Sequence, residues 1–244
     1  MPRARLWVGT SGWHYDHWRG PFYPAALRRR EWFSHYAAHF DTVEIDATFY
    51  RLPAPETFDA WREAAPAGFR YALKLSRYLT HLKRLRDPRP ALRLFLERAR
   101  RLRDRLGPIL VQLPPRWTPD LPRLAEFLAA APRAQRLAIE FRDPRWLTSA
   151  TFELLRERGA ALCIHDALAD HPLEVTADFV YLRFHGPGAL YAGSYSPKRL
   201  AAEARRIRAW LRGGRDVYAY FNNDARAFAV RNALELRRYV ERRQ

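Results

Sequence analysis

Apolar positions along the chain fall into two alternating patterns: short continuous runs, and longer stretches in which they recur every three to four residues. Runs of four to eight apolar residues have the length of buried strands, and a 3.6-residue recurrence marks one face of a helix. The first pattern predicts strands at Leu6 to Gly9, Thr42 to Asp46, Arg70 to Leu75, Ile109 to Leu113, Leu137 to Phe141, Ala161 to His165, Phe179 to Phe184 and Val217 to Phe221. The clearest helical stretch is Pro90 to Leu106, where Leu92, Phe95, Ala99, Leu102 and Leu106 share a face and arginines cover much of the rest. Strand and helix alternating every roughly 30 residues imply a parallel sheet, and about eight such units predict an α/β fold, the closed (β/α)8 TIM-type barrel. No GxGxxG fingerprint supports an open doubly wound sheet instead.

Several of these runs close on a residue unsuited to a core: Glu44, Lys74, Glu140, Arg183 and Asn222. Side chains alternate along a strand, so Glu44 and Asp46 point one way while Val43 and Ile45 point the other, and Arg183 and His185 oppose Leu182 and Phe184. In a barrel the C-terminal strand ends form the ligand face, which makes this polar set the candidate site. Glu44 and Lys74 are expected from neighbouring strands as a pair holding each other ionised, with Glu44 as general base and Lys74 as electrophile or amine nucleophile. The alternative is a purely structural ion pair. Glu140 and His185 complete the catalytic candidates. Arg183, with Arg142, offers the planar fork that suits phosphate or carboxylate; otherwise Arg183 only neutralises Glu140.

Three further features bear on binding. Gly9, Thr10, Ser11 and Gly12 resemble a phosphate cradle of backbone amides, or else a tight turn. The segments Thr10 to Pro24, with Trp13, Trp18 and Tyr23, and Gly186 to Pro197, with Tyr191 and Tyr195, read as a lid or pocket wall. In YFNND, Asn222 and Asn223 can hydrogen-bond a ligand, while Asp224 is as well suited to cap the following helix. His81, His165, Asp166, His185 and Asp224 keep a His and carboxylate metal site open without the spacing of a known motif, so the metal and any cofactor stay undetermined.

The 244 residues suit one barrel domain, residues 1–244. Cys163 is the only cysteine, which excludes an intramolecular disulfide and a cluster of thiolate ligands. No apolar run approaches the ~20 residues of a membrane span, so a cytoplasmic protein without membrane partners is expected. The net charge of +17 favours an anionic partner, a phosphate-bearing small molecule or a nucleic acid. Lys74, Lys83 and Lys198 are the only lysines, however, and an arginine bias of that kind also arises from a GC-rich genome.

The motifs GTSGWHYDHWRGPFYP, VEIDATFYRLP, LGPILVQLPP, EFRDPRW, YLRFHG and YFNNDARAFAVRNA, in this order, resemble the YecE-like family, domain of unknown function 72. The resemblance implies a βα barrel and no established reaction. It singles out Gly12, Trp13, Glu44, Thr48, Phe49, Tyr50, Lys74, Thr80, His81, Gln112, Glu140, Arg142, Arg183, His185, Asn222, Asn223, Asp224 and Asn232 among others, and so adds Tyr50, His81 and Gln112 to the substrate-binding candidates. Asp46 stands where the family usually has asparagine; beside Glu44 it is expected to raise a carboxyl pKa or to attract a cation. Together these features predict an anion-binding mouth, with hydrolase or lyase chemistry on a phosphate-bearing nucleotide or nucleic acid. A non-catalytic nucleic-acid-binding protein and a sugar-phosphate isomerase or aldolase are the alternatives.

Overall fold

The computed structural model describes residues 4–188 and 190–242. Eight parallel strands form one sheet: β1 (Leu6–Thr10), β2 (Thr42–Ile45), β3 (Arg70–Lys74), β4 (Leu106–Gln112), β5 (Leu137–Glu140), β6 (Ala161–His165), β7 (Phe179–Phe184) and β8 (Asp216–Phe221). Their order is β1-β8-β7-β6-β5-β4-β3-β2, the order of a (β/α)8 TIM-type barrel, as expected. A bridge from Ser11 to Glu44, with the Gly12 amide donating to the Glu44 carbonyl at 2.8 Å, joins the first strand to the second. Gly9 is required there, because a Cβ at that position would lie 2.3 Å from the Thr42 carbonyl oxygen.

The helices are α1 (Trp32–His39), α2 (Ala47–Tyr50), α3 (Pro55–Ala64), α4 (Pro88–Ala99), α5 (Leu121–Ala130), α6 (Ser149–Arg158), α7 (Pro197–Arg212) and α8 (Phe228–Glu241). Their starts carry local signals. Asp120, Thr148 and Ser196 accept from the amides of Arg123, Thr151 and Arg199, and each satisfies an otherwise unbonded donor of the first turn. Gly159, with φ +65°, takes the left-handed position that ends α6.

Two expectations change. The helix expected over Pro90 to Leu106 runs as α4 only to Ala99; a 3-10 turn follows, Arg103 breaks it at φ 51°, and Leu106 opens β4 opposite Tyr71. Among the described residues, β6 and β7 are joined without a helix.

The chain divides into two compact units. The first comprises the described residues of Met1–Glu44, His165–Ala167 and Asp178–Gln244. Trp7 stacks on Tyr218 at 4.6 Å and Tyr23 on Trp32 at 4.6 Å. The second comprises Ile45–Ile164 and Leu168–Ala177. Its core holds Leu73, Ile109, Val111 and Ile139, with α4 contributing Leu92, Phe95 and Ala99, the face that the periodicity identifies.

Candidate functional site

In the first unit Glu44 is fully buried and both of its carboxylate oxygens are hydrogen-bonded. Oε1 accepts from Ser11 Oγ at 2.6 Å and from Arg183 Nη2 and Nε at 2.6 and 3.1 Å, while Oε2 accepts from the Tyr181 hydroxyl at 2.6 Å. Burial alone would raise its pKa, but the Arg183 charge and the Ser11 and Tyr181 hydrogen bonds outweigh it and hold the carboxyl below its ordinary value. Burial and the same carboxylate push the Tyr181 hydroxyl well up, so it stays a donor. The expected pairing with Lys74 is therefore replaced by one with Arg183, whose strand residues Tyr181 and Arg183 share one parity. A carboxylate so enclosed anchors structure and has no lone pair facing solvent for a general base.

Other expected residues of this unit are also bound into the fold. Thr10 donates its hydroxyl to the Gly12 carbonyl at 2.7 Å and its amide to Tyr36 at 3.0 Å, while the Ser11 and Gly12 amides go to Phe221 and Glu44 carbonyls. The cradle reading fails on this count, since three amides that would hold an anion hold the chain. Trp13 is buried edge-on to Phe33 at 5.3 Å, and its carbonyl accepts from Tyr23. Trp18 and Tyr23 are buried as well, so the aromatic segment after β1 is packed core and no lid. Asn223 ties Gly193 and Asn232, at 2.8 and 3.0 Å, and thereby holds the segment after β7. Asn222 lies with its amide nitrogen 3.4 Å from His185 Nδ1, and the half-exposed Tyr191 stands edge-on to the His185 ring at 5.8 Å. Asp166 accepts from the His185 amide at 2.7 Å and from the Tyr195 hydroxyl. Asp224 makes no side-chain cap: α8 starts after left-handed Arg226 and Ala227, and the Asp224 carbonyl accepts from Trp18 Nε1 at 2.9 Å.

The second unit gathers a different group. Lys74, at the end of β3, sits 3.4 Å from Asp46 and 4.4 Å over the Phe49 ring. Asp46 thus holds the cation that was expected beside Glu44. Phe49 meets His81 edge-on at 5.0 Å and Tyr50 at 5.1 Å. Gln112 and Glu140 stand side by side at the ends of β4 and β5, and Arg142 pairs with the buried Glu140. Cys163 lies with its sulfur 3.9 Å from the second Glu140 oxygen.

His81 lies in a π-helical turn, Tyr78–Leu82, the kind of irregularity that recurs at functional positions. Burial first, then the charges of Lys74, Arg77 and Arg142, lower its pKa to about 4, with Glu140 opposing. Its tautomer follows from its neighbour. Thr80 Oγ1 stands 3.1 Å from the Ser76 carbonyl, to which it can donate, and 2.9 Å from His81 Nδ1; with its one hydroxyl proton on that carbonyl, Nδ1–H is the donor to Thr80. Nε2 then carries a lone pair at neutral pH. Arg77 and Tyr181 escape identification from sequence: Arg77 lies in the loop past its strand, and Tyr181 reads as one of many buried aromatics. The parity shared by Tyr181 and Arg183 is the signal that marks the second.

Fold and strand-end chemistry define a (β/α)8 barrel with its polar residues concentrated at the C-terminal ends of the strands. The chain belongs to the family described as "Protein of unknown function DUF72", whose sequence model matches residues 7–244, in agreement with the motif resemblance. The UPF0759 protein YecE of Escherichia coli strain K12 is 34% identical over 125 residues, 51% of this chain and 46% of YecE, so the chain spans about half the length of that relative. The UPF0759 protein YunF of Bacillus subtilis strain 168 is 22% identical over 272 residues, covering 95% of this chain and 93% of YunF. Among solved structures, a DUF72 protein from Thermotoga maritima superposes with a TM-score of 0.87 at 28% identity, over 98% of this chain and 100% of that one. One from Enterococcus faecalis shares the fold at a TM-score of 0.82 and 19% identity, over 98% and 96%. No helix among the described residues is long and apolar enough to cross a membrane.

Proposed function

We propose that the group around His81 is an anion-binding site and that the protein is a hydrolase or lyase acting on a phosphate-bearing substrate. The observation that carries this reading is a half-buried histidine packed edge-on to Phe49, over which the Lys74 ammonium lies at 4.4 Å, with the charges of Lys74, Arg77 and Arg142 disfavouring its protonation. Cations so placed stabilise a phosphate oxyanion, and Arg142 adds a planar fork. His81 Nε2 takes a proton. In hydrolysis it comes from water, whose oxygen bonds to phosphorus as the ester P–O bond breaks and its electrons leave with the alcohol oxygen. In elimination it comes from carbon, whose electrons form a C=C bond as the C–O bond breaks and its electrons leave with the phosphate. In either case negative charge gathers on phosphate oxygens facing those cations. Glu44, Glu140 and Asn223 hold the scaffold in this reading, and His185 with Asn222 and Tyr191 supplies further polar contacts in its own unit.

Titration of the protein with inorganic phosphate tests the anion site. Wild type binds, Lys74→Met weakens binding about tenfold or more, as loss of a charged hydrogen bond requires, and Arg77→Ala, at an exposed position, weakens it less. Phosphate binding that is equally strong in Lys74→Met and Arg77→Ala overturns the reading. A non-catalytic nucleic-acid-binding role has one observation of its own, a groove of about 380 Å³ lined by Arg89, Arg93 and Arg100. It predicts affinity for nucleic acid that falls steeply with salt and is insensitive to Lys74.

A further inference from the structure

Large apolar side chains exposed to solvent are few among the described residues, and three of them flank His81. Tyr50 is 69% exposed, Tyr78 52% and Leu82 63%. Tyr78 and Leu82 bound the π-helical turn that carries His81, and Tyr50 ends α2. The rings form a continuous series: His81 meets Phe49 edge-on, Phe49 meets Tyr50 edge-on, and the Lys74 ammonium lies over Phe49. The inner end of this series faces cations and the outer end offers bare aromatic surface to water.

Burial explains Phe49, which is 8% exposed, but nothing in the fold of the second unit needs a tyrosine ring left two-thirds in solvent. Exposed apolar surface beside a polar pocket marks where an apolar part of a ligand rests. Flat rings are the shape that tyrosine faces recognise best.

Resting on the anion-site reading above, we infer that the substrate is a phosphate monoester whose alcohol part carries a planar aromatic ring. The phosphate lies at Lys74 and Arg142, and the ring lies against Tyr50 and the Tyr78 to Leu82 turn. This choice separates the site from one for aliphatic sugar phosphates, which have no flat face to offer.

Calorimetric titration with inorganic phosphate, glycerol phosphate and phenyl phosphate tests it. Wild type should bind phenyl phosphate about fivefold or more tightly than glycerol phosphate, the least that one stacked ring supplies. In Tyr50→Ala, and to a smaller extent in Tyr78→Ala, that ratio should collapse toward one. Both substitutions are at exposed positions and leave the core untouched. Equal binding of the two esters by wild type, or a ratio unchanged in both variants, overturns the inference while leaving the anion site standing. Failure of all three compounds to bind overturns the anion site and the inference with it.

Discussion

The Glu44 network and the His81 group draw on the same residue types at the ends of parallel strands, yet they leave different amounts of hydrogen-bonding capacity unspent. Glu44 has four short contacts from Ser11, Tyr181 and Arg183 and no exposure to solvent. His81 is half-buried, has one nitrogen fixed by Thr80, and keeps the other free among cations. A fully buried charge with both oxygens hydrogen-bonded contributes to a unique fold; a half-buried group with one lone pair left over, under the influence of nearby positive charge, can act on something that arrives. Polarity at a strand end is therefore not itself a sign of chemistry. The number of partners each group already has separates the two.

The largest expected effect tests the first half of that comparison. Glu44→Ala leaves the Arg183 guanidinium buried beside an empty site, and removing one partner of such a pair costs about 3–5 kcal/mol. Denaturant unfolding should show that loss. The Glu44 pKa is lower folded than unfolded, so its contribution is fully present above the ordinary value near 4.5 and disappears as pH falls through the folded value. The gap between wild type and Glu44→Gln should therefore narrow below pH 4.5. A cost under about 1 kcal/mol for Glu44→Ala would show that Arg183 does not depend on this carboxylate, and the two regions would no longer differ as described.

The His81 half is sharpened by titration. With a folded pKa of about 4 against 6.5 unfolded, the unfolded chain binds the proton first, so stability is lost as pH falls from 6.5 toward 4 and is unaffected above 6.5. Since Lys74 is the largest charge holding the value down, Lys74→Met should move the His81 resonance midpoint upward, toward 6.5, as read by proton NMR. A midpoint already near 6.5 in wild type would remove the neutral base. The pH dependence of kcat/KM, once a substrate is in hand, should share that acid limb.

Much of this fold was legible because strand length and helical period are local properties. The runs at Ala161 to His165 and Phe179 to Phe184 match β6 and β7 residue for residue, and the other runs lie within a few residues of their strands. Leu106 was misplaced because a 3.6-residue series reaches it from Leu102 by coincidence; only its pairing with Tyr71, which is remote in sequence, makes it a strand. The candidate site was legible as a set of residues and illegible as a set of partners. Glu44 finds Arg183 at 139 residues' separation and not the nearer Lys74, because side-chain reach across the fold, and not strand neighbourhood, decides which charges meet. The glycine-rich opening misled for a related reason: its amides could serve an anion or the chain, and the carbonyls of Glu44 and Phe221 take them.

The smallest expected effect isolates the tautomer. Thr80 is fully buried, and Thr80→Val keeps its shape while deleting the hydroxyl that accepts from His81 Nδ1 and donates to the Ser76 carbonyl. The Ser76 carbonyl keeps the Leu79 and Thr80 amides at 3.1 Å, so the stability lost should be only about 1 kcal/mol, the net worth of an ordinary hydrogen bond. The ring nitrogens should respond more clearly than stability does. In wild type, nitrogen NMR should report the Nδ1–H form with Nε2 unprotonated, whereas in Thr80→Val the two tautomers should mix, since nothing on the Nδ1 side selects between them. Wild type found in the Nε2–H form would place the lone pair against Thr80, where it can only accept that hydroxyl, and no neutral base would face the cations. The comparison with Glu44 would then collapse, because both groups would be spent on the fold.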